Sequence, residues 1–159
     1  MKYLLILLFC TMTQVGVAQD MDNPQLEKVL LSMSDSLSGS PGQWRFKIGE
    51  MWLMCITDES FNRMRIITPI IEVGKMESGE MEKCMSANFH SALDVKYCIA
   101  EGLLWSAYIH PLKELTPDQI KDAIKQVYTA SMTFGTTYNS TDLVFPTEVP
   151  PPKKGTSKS

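Results

Sequence analysis

Residues 94–138 read DVKYCIAEGLLWSAYIHPLKELTPDQIKDAIKQVYTASMTFGTTY, and they decide the fold. Val95 to Ala100 is rich in β-formers, Glu101-Gly102 can make a tight turn, and Leu103 to Ile109 is a second apolar run. This pattern predicts a hairpin. In its second strand Trp105, Ala107 and Ile109 share one face, and Leu104, Ser106 and Tyr108 share the other. Thr116-Pro117-Asp118 then opens a helix, with Pro at the first position and an acid in the first turn, where the helix dipole favours it. Its apolar stripe is Ile120, Ala123, Ile124, Val127, Tyr128, Ser131 and Phe134, and Gly135 is a natural stop. One hairpin and one helix do not make a stable core, so the chain upstream must supply more strands.

It has the patterns to do so. After a linker at 20–23, Asn23-Pro24 starts a helix expected over about 24–37, with Leu26, Val29, Leu30, Met33 and Leu37 at helical spacing. Ser38-Gly39-Ser40-Pro41-Gly42 stops it. Trp44 to Ile48 alternates apolar residues with Arg45 and Lys47, as a half-buried edge strand does. Met51 to Thr57 is almost continuously apolar, as a central strand is. Arg63 to Ile71 places Met64, Ile66, Thr68 and Ile70 on one face, and Pro69 argues for an edge position or an early end. A second helix is expected over about 77–91, with Met81, Cys84, Met85 and Phe89 inward. The predicted fold is therefore α+β, in the order α-β-β-β-α-β-β-α. It has a five-stranded antiparallel sheet with helices mainly on one face, and the last helix covers the area around Trp52 and Trp105.

The two ends read differently. Lys2 followed by the apolar run Tyr3 to Phe9 and by Gly16-Val17-Ala18 has the form of a secretory signal peptide cleaved after Ala18. The run is far too short to span a bilayer, and Phe9 is too bulky for a lipobox ahead of Cys10. The expected domain is 19–138, exported to the periplasm or beyond, and 139–159 is expected to be a disordered tail containing Pro150-Pro151-Pro152 and Lys153-Lys154. Between residues 20 and 149 there are 11 basic and 18 acidic residues, a net charge of −7. So acidic a body repels nucleic acid and anionic membrane.

Three cysteines follow the leader: Cys55, Cys84 and Cys98. An odd number allows one internal bridge at most, and the spacings match no zinc pattern. Cys55 and Cys98 sit in apolar strand runs and are expected to be reduced and buried. His90 and His110, the only histidines, form no metal or protease motif. Asp58-Glu59 and the group Glu77, Glu80 and Glu82 are candidate paired carboxylates, but a charged turn and a solvated helix face account for them. No nucleophile elbow, phosphate loop or dinucleotide loop occurs. Eleven methionines suit an adaptable core or a binding surface, and their irregular spacing does not suit copper. The expectation is no catalytic residue, no cofactor and no metal site. The alternative is a small secreted enzyme or ligand-binding protein whose site has no sequence motif.

Over residues 24–134 the order of these pieces resembles the YbjN-like family, whose fold is that of the type III secretion chaperones. The matching pieces are the aromatic-rich strand Trp44-Arg45-Phe46-Lys47-Ile48 and the apolar strand ending in acids, Cys55-Ile56-Thr57-Asp58-Glu59. To these are added the Arg-to-Pro run Arg63-Met64-Arg65-Ile66-Ile67-Thr68-Pro69 and the helix entry Leu115-Thr116-Pro117-Asp118-Gln119-Ile120. The resemblance implies a binding module that holds a protein or peptide partner, commonly as a homodimer. The predicted signal peptide departs from that pattern, because secretion chaperones work in the cytoplasm.

Overall fold

Asp22 starts the first helix. Its carboxylate accepts the Gln25 N–H at 2.9 Å, and Pro24 lies in the first turn, where no amide donor is needed. This helix, α1, is Asn23–Met33 in a computed structural model that describes residues 20–143. The predicted leader and most of the predicted tail, residues 144–159, lie outside the described residues. Helix α1 ends at Met33 rather than at 37. The hydroxyls of Ser32 and Ser34 donate back to the carbonyls of Val29 and Leu30, and Ser34 itself turns extended.

The residues released there form a strand that the sequence pattern does not announce. β1 is Ser36–Ser40, so the sheet has six strands, not five. Its five residues are mostly serine and lack an apolar alternation; only pairing with β2 (Gln43–Ile48) makes them a strand. Gly39 lies opposite Trp44 at φ +119°, and a Cβ there would sit 2.3 Å from the Gln43 carbonyl oxygen. The chain continues through β3 (Met51–Asp58), β4 (Arg63–Glu72), a 3-10 turn (Val73–Lys75), α2 (Glu80–His90), β5 (Lys96–Ala100), β6 (Leu103–His110) and α3 (Pro117–Met132). The sheet order is β1-β2-β3-β4-β6-β5, and every neighbouring pair is antiparallel.

Strand β4 is interior, between β3 and β6, so Pro69 does not mark an edge. The register with β6 shifts between Pro69 and Ile71, and this bulge accommodates a residue with no amide to donate.

The core lies between one sheet face and the helices. Trp44, Phe46, Leu53, Cys55, Met64, Ile66 and Leu104 meet Leu26, Leu30, Ile120, Ile124 and Val127, all buried. The sheet also pins α3 through buried hydroxyls: Ser106 donates to the Val127 carbonyl at 3.0 Å and Tyr97 to the Ala130 carbonyl at 2.7 Å. A reciprocal capping box at Thr116 and Gln119 closes the start of α3.

Four expectations about facing are corrected. The expected cover over Trp52 and Trp105 is absent: Trp52 and Trp105 alternate away from the inward Leu53 and Leu104, on the face opposite α3. On β5 only Tyr97 is buried, and Cys98, one residue on, points outward and is exposed. Helix α2 begins at Glu80 and buries Glu80, Cys84 and Ala87, so Met85 and Phe89 project to solvent. Ser140, expected in the tail, is buried, and its hydroxyl donates to the Ala92 carbonyl at 2.8 Å.

Candidate protein-binding surface

Among the described residues no helix lies over the outward face of the sheet. Its middle row comes from β3: Trp52, Met54 and Ile56. Cross-strand neighbours extend it, since Lys47 pairs with Trp52, Arg45 with Met54, Arg65 with Ile56 and Ile67 with Met54. On β6, Trp105, Ala107 and Ile109 continue the same face beside Pro69, Ile67 and Arg65. Trp52 is 40% exposed and Ile109 60% exposed. The Arg45 guanidinium lies 4.4 Å from the centre of the Trp52 ring, within cation–π range. A face this apolar on a strand layer is ordinarily covered, so its exposure marks it for interaction.

Two further features stand outside this face. Around the edge strand β5, the Asn88 amide acts as a substitute strand: its oxygen accepts the Tyr97 N–H at 2.7 Å and its nitrogen donates to the Tyr97 carbonyl at 3.1 Å. Close in sequence, Met85, Phe89 and Ile99 leave large apolar side chains exposed. A polar cleft of about 520 Å³ opens between β6 and α3, lined by Asp94, Lys96, Tyr108, His110, Asp122 and Gln126 among others. The buried Gln126 amide bridges Asp122 at 2.7 Å and Asp94 at 3.4 Å. The Lys96 ammonium donates to the Asn88 and Leu93 carbonyls. Burial, and then the charges of Asp94 and Asp122, push the Tyr108 phenol up. Asp94, Lys96, Asp122 and Gln126 of the cleft are thus already partnered within the fold.

The candidate residues from sequence are scattered. Asp58 accepts from the Ser60 hydroxyl at 2.6 Å and the Phe61 N–H at 3.0 Å; these bonds hold its carboxyl below the usual range. Glu59 instead accepts the Asn23 N–H at the start of α1. Glu80 folds back on its own helix entry to accept the Glu77 N–H, while Glu77 and Glu82 are exposed. His90 packs edge-on against Phe89, and His110 stacks on Tyr108 with Nδ1 2.8 Å from the Pro111 carbonyl oxygen. Among the described residues no group of His, Cys, Asp or Glu is arranged to hold a metal ion. Cys55, Cys84 and Cys98 are all free.

The sequence reading leaves one sheet face without helices but puts Trp52 and Trp105 on the covered side, though the signal for the opposite placement is present. Trp44-Arg45-Phe46-Lys47 marks one buried and one basic side of β2, and β3 is apolar on both sides. Apolar residues on both faces predict a sheet covered twice; here the second cover is not part of the chain's described residues.

No protein-family model matches the chain, and neither does any curated protein. Solved structures do. A chain from the structure of the HopA1–SchA chaperone–effector complex is 13% identical with a TM-score of 0.54, covering 69% of this chain and 88% of that one. A chain from the crystal structure of the ExsC–ExsE complex is 12% identical with a TM-score of 0.52, covering 70% of this chain and 92% of that one. At such identities the likeness is one of fold alone, a type III secretion chaperone-like fold.

Proposed function

We propose that this protein is an exported, non-catalytic binding module that holds a segment of a partner protein. The observation that carries this reading is the uncovered sheet face, with Trp52, Met54, Ile56 and Ile109 in one field. A protein does not ordinarily leave such an area to solvent, and a segment laid across it would complete the second layer. The shared fold supports the reading, since one structural neighbour comes from a chaperone–effector complex. Membership of the YbjN-like family rests on the order of the motifs from Trp44 to Ile120. A homodimer through Met85, Phe89 and Ile99, beside edge strand β5, belongs to the same proposal.

A photo-crosslinking side chain placed at Ile56 or at Lys125 in the native host tests the binding role. An adduct with a second polypeptide from position 56 and none from position 125 is expected, and no adduct from any surface position would overturn the reading. Export is read separately, by intact mass of the mature protein. A chain starting at Gln19 or Asp20 is expected; retention of Met1 rules it out, and a chain starting at a lipidated Cys10 rules out cleavage after Ala18.

A further inference from the structure

The chain has three arginines, Arg45, Arg63 and Arg65, and β2 and β4 turn all three to the open sheet face. Lys47 joins them. The body around them is acidic, with 18 carboxylates against 11 cations between residues 20 and 149. Partners for arginine are therefore plentiful, yet the only ion pairs among the described residues use lysine: Lys47–Glu50, Lys75–Glu72 and Lys121–Asp118. The acids nearest the arginines are committed elsewhere. Asp58 stands opposite Arg63 in register, but its carboxylate is held by the Ser60–Phe61 turn. Glu59 caps α1, and Glu114 takes the Asn62 amide at 3.0 and 3.1 Å. Arg63 spends one donor on the Asn62 carbonyl, and Arg45 rests on Trp52, which leaves its N–H edge open.

These guanidinium groups border the apolar row Trp52, Met54 and Ile56. Two hollows repeat the arrangement: one of about 310 Å³ with Ile56 and Ile109 beside Arg63 and Arg65, lined also by the turn-held Asp58, and one of about 300 Å³ with Met54 beside Arg45. Deepening the binding reading above, on which this rests, we infer that the open face takes a protein segment in which carboxylates alternate with large apolar side chains. Apolar residues of the segment lie along β3. Its Asp and Glu side chains meet Arg45 on one side and Arg63 and Arg65 on the other, as two-pronged hydrogen-bonded pairs that lysine cannot form, and Lys47 adds a further positive charge beside Arg45. Trp, Met and Arg are the residues enriched in protein interfaces. A second copy fits poorly, because two such faces would set arginine against arginine. Nucleic acid fits poorly too, because the row between the cations is aliphatic and aromatic and the rest of the body is acidic.

The test is selection of a random 12-residue peptide library on the purified protein, followed by fluorescence titration of a selected peptide. Peptides rich in Asp, Glu and large apolar residues are expected. Arg45→Ser and Arg65→Ser should each weaken binding about tenfold, Lys75→Ser and Lys121→Ser should not, and added salt should weaken it further. Replacing the peptide's acids by Lys should abolish binding to the unaltered protein, a readout that no folding defect can mimic. Neutral or basic selected peptides, or equal loss in the Lys75→Ser variant, would overturn the assignment of face and charge while leaving the binding role intact. No enrichment of any peptide would overturn both. Single-stranded DNA or anionic phosphatidylglycerol vesicles bound as tightly as the peptide would also overturn it, as would a dimer in solution that Arg65→Ser dissociates.

Discussion

Single side chains decide which face of an element is wet, and the cysteines report it. Burial pushes the Cys55 thiol up to about 12, and burial followed by the Glu80 charge pushes Cys84 up to about 11, so both stay protonated and inert near neutrality. Cys98 is exposed. A polar maleimide added to the native protein at pH 8 is expected to label Cys98 alone, with Cys55 and Cys84 following only in denaturant; mass spectrometry counts the adducts. Tyr97 makes a second test. Its hydroxyl is bonded to Ala130, and burial raises its phenol from 10.0 to about 12. A raised folded value means that this stabilising contribution is complete below pH 10 and is lost as pH climbs towards 12. Stability should therefore fall across that window, and Tyr97→Phe should flatten the fall while costing about 1–2 kcal/mol at neutral pH. An unchanged slope in the variant would remove Tyr97 as its source.

At the scale of elements, α3 buries more apolar side chains than α1 or α2. It buries Ile120, Ala123, Ile124, Val127 and Ala130 along one side, while Lys125 is on the other. Ile124→Ala should cost about 2–5 kcal/mol through lost burial and the cavity it leaves. Lys125→Ala should cost under about 0.5 kcal/mol. Denaturant melts of the two variants side by side check the docking, and coincident midpoints would deny it. Thr116→Ala opens the capping box and should cost about 1 kcal/mol in the same assay. Strand β1 is the opposite kind of element. Its own residues contribute one inward side chain, Leu37, and its position rests on Gly39 fitting against Gln43 and Trp44. Gly39→Val should release this strand with little effect on α3, seen as hydrogen exchange that speeds up over 36–40 alone.

On the scale of the molecule, one face of the sheet makes the fold and the other is left for something else. The inward side chains form a single core with three helices, while the outward side chains combine an aromatic and aliphatic row with all three arginines. Replacing Ile56 on the open face with Glu should leave the unfolding free energy within about 0.5 kcal/mol of the parent, whereas the same change at Leu53, one face over, should unfold the protein. Such a contrast would show that the outward row is not there for stability.

Period and punctuation alone determined most of the elements. Helix α3 is legible because its stripe and its Thr-Pro-Asp entry are local, and the hairpin at Glu101-Gly102 because turn chemistry is local. The alternation along β4 placed Met64, Ile66 and Thr68 inward for the same reason. Tertiary structure decided what depends on a neighbour. Ser36–Ser40 becomes a strand only because β2 lies beside it, and Pro69 sits inside the sheet only because a bulge with β6 absorbs its missing amide. Met85 and Phe89 are exposed because α2 is rolled to bury Cys84 and Ala87, which helical spacing alone permits equally. The open face is the clearest case. Alternation divides Trp52 from Leu53, but nothing local says which side the helices cover, because that choice is settled by how α1 and α3 pack together across the whole sheet.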